Sequence, residues 1–197
     1  SVKVGTVQTT EANSKPTMGA FSTNSTGTRY SVGPTFIKRS WVTLAGEQYY
    51  FGQDFYMYIG TRSIPKNRNN LQEGIFWYLF AEDGKFIRDY TDLNGIVPEN
   101  GKLYWVVDGR NAYGGLMLIN GAYYYARTYG EIVRNTTYGI TKTNDLLPAR
   151  AYTFGEDGKL TGFETDFATA VCEELGIGCD IIGKVEQDGI TATVPEA

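Results

Sequence analysis

"NGKLYWVVDGRNAYGGLMLINGAYYYARTYGEIV", residues 100–133, holds the pattern on which the fold turns. Asn100-Gly101, Asp108-Gly109 and Asn120-Gly121 separate short runs of aromatic and aliphatic residues. An aromatic strand, a two-residue turn carrying Gly and a second strand make the strongest short-range hairpin signal. Similar pairs stand at 83–84, 94–95 and 157–158. Three adjacent phenols, Tyr123, Tyr124 and Tyr125, close the stretch. In a strand, alternation puts Tyr123 and Tyr125 on one face and Tyr124 on the other, so the row cannot all face inward.

Working outward, the hairpins repeat. Tyr49-Tyr50-Phe51, Tyr78-Leu79-Phe80, Tyr104-Trp105-Val106, Tyr124-Tyr125-Ala126 and Tyr152-Thr153-Phe154 align. The closing residues are then Phe55, Gly84, Gly109, Gly130 and Gly158, with the third spacer one residue shorter. The third positions lie 29, 26, 20 and 28 residues apart, irregular but within the range of stacked repeat units. A lone two-stranded hairpin is marginal in water, so successive hairpins must pack aromatic faces together. The expected fold is mainly β, tandem hairpin repeats in a solenoid-like array over 41–160.

Residues 1–40 are rich in Thr, Ser, Gly and Asn and read as an arm or edge strands rather than core. The last segment, 161–197, reads as a small α/β element with one helix in "GFETDFATAVCEELGIG". Phe163, Phe167, Ala170, Val171 and Leu175 recur there at helical spacing, Thr165 is a plausible N-cap and Gly176 a stop. The spacing is also what ordinary core packing requires.

Composition narrows the chemistry. The 197 residues include 15 Tyr, 10 Phe, 3 Trp and 24 Gly, and no His. Ser-His-Asp, Cys-His and zinc-His sites are therefore excluded, and no metal or cofactor is expected. The net charge of −4 divides unevenly: +4 over 1–40, balanced over 41–155, and −8 from Glu156 onward. Such ends suit self-association, and solvated termini explain them equally well. No segment is basic enough to point to nucleic acid, no apolar run is long enough for membrane insertion, and no leader pattern opens the sequence.

The stretch "WVTLAGEQYYFGQDFYMYIG" (41–60), with Trp41, Gly46, Tyr49, Tyr50, Met57 and Gly60, resembles the cell-wall-binding, or choline-binding-like, repeats of bacterial surface proteins. The resemblance runs over about 41–160. It implies aromatic cages between successive hairpins that hold a quaternary ammonium by cation–π attraction. The cage tryptophan falls on Gln48, Trp77, Leu103, Tyr123 and Ala151, and Trp41 matches its partner, so no intact set is present and choline is not the expected ligand. A second resemblance, over 150–190, is to a fragment of the first lobe of extracellular amino-acid-binding proteins; it implies a disulfide between Cys172 and Cys179, against which two reduced core cysteines stand as the alternative.

The expected function is a non-catalytic extracellular module at the bacterial cell surface. It would attach a surface protein to cell-wall polymer or glycan through exposed aromatics. The candidate contacts are Trp41, Tyr50, Trp77, Tyr104, Trp105, Tyr123 and Tyr125, although each ring has core packing as its ordinary use. A self-assembling structural subunit, using the arm and repeat edges, is the alternative. The carboxylate pairs Glu82/Asp83 and Glu156/Asp157 fit glycoside hydrolysis by type, but their positions are those of turn formers, and no catalytic residue is assigned.

Overall fold

The computed structural model describes residues 4–6 and 18–162. The helix expected within 162–178 and the Cys172/Cys179 pair lie outside the described residues. The described chain is mainly β and divides into two compact units. The first contains residues up to Tyr113 together with Tyr129–Glu131, and the second contains Gly114–Thr128 and the chain from Ile132.

In the first unit, β1 (Val4–Thr6), β2 (Met18–Thr23), β3 (Thr28–Val32) and β4 (Thr35–Phe36) form an antiparallel sheet in chain order. The hairpin of β5 (Ser40–Leu44) and β6 (Glu47–Phe51) follows. β7 (Gly60–Pro65), β8 (Ile75–Phe80), β9 (Phe86–Asp89), β10 (Gly95–Glu99), β11 (Lys102–Val107) and β12 (Arg110–Asn111) form a six-stranded sheet. The second unit holds the hairpin of β13 (Gly115–Ile119) and β14 (Ala122–Ala126). It also holds the three-stranded sheet of β15 (Thr136–Gly139), β16 (Ala151–Phe154) and β17 (Leu160–Thr161).

The five aligned motifs share one local construction. Each third-position residue is a core residue: Phe51, Phe80, Val106, Ala126 and Phe154 are all at most 2% exposed. Each also pairs across its turn, Phe51 with Met57, Phe80 with Phe86, Val106 with Asn111, Ala126 with Ile132 and Phe154 with Leu160. The offset is six residues in four repeats and five in the third, where the sequence spacer is shorter by one.

The closing residues Phe55, Gly84, Gly109, Gly130 and Gly158 all have positive φ, between 69° and 81°. Gly is the residue that adopts this region without steric cost. At Gly109 a second constraint applies, because a Cβ would lie 2.1 Å from the Tyr90 carbonyl oxygen. The two-residue turns Asn100-Gly101 and Asn120-Gly121 have both φ values positive, as a type I′ hairpin requires. Ala45-Gly46 does the same without the Asn or Asp that would have marked it.

Three apolar clusters hold these hairpins. Tyr30, Val42, Leu44 and Phe51 form one, and Tyr50, Ile64 and Phe80 another, both in the first unit. Leu116, Tyr125, Val133, Ile140, Tyr152 and Phe154 form the core of the second. Composition places residue 30 in an arm or edge strand, yet Tyr30 is fully buried, with Phe21 at 4.9 Å and Phe51 at 6.1 Å between ring centroids. Phe21 on β2 and Tyr30 on β3, with Val32 and Ile37 beside them, anchor a segment otherwise rich in Thr, Ser, Gly and Asn.

Candidate functional site

The repeats place the seven expected contacts in different settings. Trp77, on β8, is 1% exposed, and its indole N–H donates to Asn111 Oδ1 at 2.6 Å. Asn111 in turn donates through Nδ2 to the Tyr129 carbonyl at 3.0 Å, so a buried polar pair is fully used. Trp77 is therefore a buried ring of the core. Tyr50 and Tyr125 are also buried, at 3% exposed each. Burial is not confined to one face of these strands: the neighbours Tyr50 and Phe51, and Tyr125 and Ala126, are all buried, so alternation alone does not separate sealed rings from open ones.

Trp41 is different. It stands on β5 with 39% of its surface exposed, among Tyr50, Tyr78 and Phe86 at 5.4 Å and Phe80 at 5.6 Å. Three of these contacts are edge-to-face and the one with Phe80 is tilted, and the indole stays partly in solvent. Tyr104 and Trp105 are half-buried on β11, with Tyr104 6.0 Å from Trp77. Tyr123, in the second unit, is half-buried against Leu116, Tyr125 and their neighbours. Of the seven, the structure brings together Trp41 with Tyr50 and Trp77 with Tyr104 as ring pairs.

The described surface has a cleft of about 480 Å³ in the first unit. Its lining includes Gln53, Asp54, Tyr56, Tyr58, Arg62 and Asn100, none of which is among the contacts expected from sequence. The turn after β6 supplies most of them. Gly52 N–H donates to the Tyr56 carbonyl, Met57 N–H to Thr28 and Tyr58 N–H to Tyr50, which fixes the segment between β3 and β6. Tyr56 and Tyr58 differ in chemistry as well as position. Tyr56 accepts a hydrogen bond from Asn24 Nδ2 at 3.0 Å, and its phenol is held below the ordinary value, chiefly by that bond and another from Thr26. Burial, reinforced by the nearby Glu99 and Tyr50, pushes the Tyr58 phenol up to about 12.

Arg62 lies over the Tyr58 ring at 5.4 Å and donates through Nε to the Ile59 carbonyl at 3.1 Å. Glu99, 9% exposed, accepts from the backbone N–H of Ser63 at 2.9 Å and from its hydroxyl at 2.5 Å. The site thus offers stacking area with amide, carboxylate and guanidinium groups close by. A signal for it existed in the sequence. Phe55 occupies a closing position that the other four repeats give to Gly, and a Tyr-x-Tyr pair follows directly.

The acidic turn pairs are placed as turn formers. Asp83 accepts from Lys85 N–H at 3.2 Å and Asp157 from Lys159 N–H at 3.0 Å. Each also meets the side chain of the same lysine, at 3.4 Å and 2.9 Å. Among the described residues no cluster of His, Cys, Asp and Glu is suited to a metal, and no helix is long and apolar enough to cross a membrane.

No family model matches the chain, and no curated protein matches it in sequence. Solved structures do. Choline binding protein F from Streptococcus pneumoniae, in the presence of a peptidoglycan analogue, is 19% identical with a TM-score of 0.31, over 72% of this chain and 46% of that one. A multimodular pneumococcal cell wall endolysin from phage Cp-1, complexed with choline, is 20% identical with a TM-score of 0.31, over 73% and 37%. Alternansucrase in complex with isomaltononaose is 17% identical with a TM-score of 0.27, over 74% and 10%. The chain spans less than half the length of each of these proteins. Its own residues define a mainly-β protein of tandem aromatic hairpin repeats that resemble the cell-wall-binding, choline-binding-like kind.

Proposed function

We propose that the chain is a non-catalytic extracellular binding module that attaches a bacterial surface protein to cell-wall polymer or glycan. The observation that carries the reading is the cleft at Tyr56 and Tyr58. Its volume lies in the range of small-ligand sites, and its mixture of rings with amide and charged groups suits a sugar, which presents an apolar face and a rim of hydroxyls. Trp41, with 39% of its surface exposed, is the most exposed of the contacts expected from sequence, and Tyr104, Trp105 and Tyr123 keep partial exposure.

Soluble cell-wall glycan fragments and choline, titrated separately, test this through thermal unfolding. A ligand of the folded state stabilises by about 2.7 kcal/mol at a hundredfold excess over its dissociation constant. The expected result is a rise in Tm with a glycan fragment that Tyr56→Ala removes. No shift with any wall component, choline included, would sink the proposal.

A further inference from the structure

Beside the cleft lies a basic feature that glycan stacking does not require. Phe55 has φ 71°, a conformation that bulky side chains avoid, at the position where the other four repeats have Gly. Its ring packs at 6.5 Å from Phe36, which is itself 36% exposed on the edge strand β4. Lys38 lies over Phe55 at 5.2 Å, and Arg29 lies over Phe36 at 4.4 Å and over Tyr56 at 5.6 Å. The result is a continuous ladder of Lys38, Phe55, Phe36, Arg29 and Tyr56. Arg39 flanks it, donating its side chain to Gln53 and its backbone N–H to the Gly52 carbonyl.

None of these three cations has an ion-pair partner among the described residues. Arg29 Nε is buried without a hydrogen-bond partner. The sequence explains the first fact, since no carboxylate occurs from Ala12 through Gly46. Asp54 is the one acidic side chain in the adjoining turn, and it accepts from the Tyr56 N–H at 3.3 Å. Guanidinium and ammonium groups stacked on rings keep their outward N–H donors for an anion. Three cations without ion-pair partners around one cluster of rings, Lys38 on Phe55, Arg29 on Phe36 and Tyr56, and Arg39 beside Gln53, suit a ligand of repeating negative charge.

We propose that the ladder of Lys38, Phe55, Phe36 and Arg29, with Arg39, is a docking surface for a polyanionic polymer bearing carboxylate or phosphodiester groups. Binding there draws on charge along the chain, whereas the cleft would recognise the shape of a sugar.

The test uses the chain as it is, with polygalacturonate and linear polyphosphate as the two anion sources and dextran as the neutral control. Raising salt from 50 to 200 mM should weaken polyanion binding about twentyfold for three contacts. In the exposed double variant Lys38→Gln, Arg39→Gln, the same change should cost only about threefold, since one contact remains. Phe55→Gly keeps every cation and should weaken binding several-fold. Preference for one polymer identifies the anion. Binding no tighter than to dextran, or an unchanged salt response in the double variant, would overturn the proposal. So would salt-sensitive association of the protein alone that the double variant abolishes, because the partner would then be a second copy. Failure of neutral glycan fragments to bind bears on the cleft and leaves the ladder standing.

Discussion

Trp41 and Trp77 are the same residue type on neighbouring hairpins, and they do opposite work. Trp77 is sealed, with its N–H committed to Asn111 and its ring against Tyr104. Trp41 has four ring neighbours yet keeps 39% of its surface in solvent. The difference lies in what the opposite strand offers. A buried indole needs an acceptor, and Asn111 on β12 supplies one. Around Trp41 the neighbours are rings, so the indole packs edge-to-face and remains at the surface.

Substitution separates the two most sharply at Trp77. Trp77→Ala should lower stability by about 3–5 kcal/mol in urea unfolding followed by far-ultraviolet circular dichroism, through the cavity and the stranded Asn111. A loss below about 1 kcal/mol would mean that the residue is not the anchor its burial indicates. Trp41→Ala should cost about 1–2 kcal/mol, because part of its surface is already exposed. If Trp41 also touches glycan, this variant loses affinity beyond its stability change, which Trp77→Phe does not.

The smallest effect concerns the adjacent phenols Tyr56 and Tyr58. Tyr58 has a folded pKa raised to about 12 from the ordinary 10.0. A raised value means that its contribution to stability is complete below about pH 10 and disappears as pH rises through 12. Tyr58→Phe should therefore flatten part of the stability loss between pH 10 and 12, read from urea midpoints. An identical slope in wild type and variant would show that the other buried phenols carry it. Burial also raises the Tyr30, Tyr49, Tyr78 and Tyr104 phenols.

The hairpins were legible because their requirements are local. Asn-Gly and Asp-Gly supply positive φ, aromatic pairs mark strands, and the aligned third position is buried in all five repeats. The shorter third spacer was legible too, and it appears as the shorter Val106–Asn111 offset. Which rings stay exposed was much less so. Tyr50, Trp77 and Tyr125 carry the same rings as exposed residues would, and nothing local states which face meets a core.

Sequence alone therefore determined the period, the turns and the mainly-β class, since these follow from backbone conformations that a few residue types control. Only the tertiary structure decided which rings are sealed and which stay open, because burial depends on partners far along the chain. Asn111 reaches Trp77 from 34 residues away, and Arg29 reaches Tyr56 across the bridge between β3 and the turn after β6. Phe55 shows both levels at once: the alignment exposes it as the one closing residue that is not Gly, and the packing shows what its ring does there.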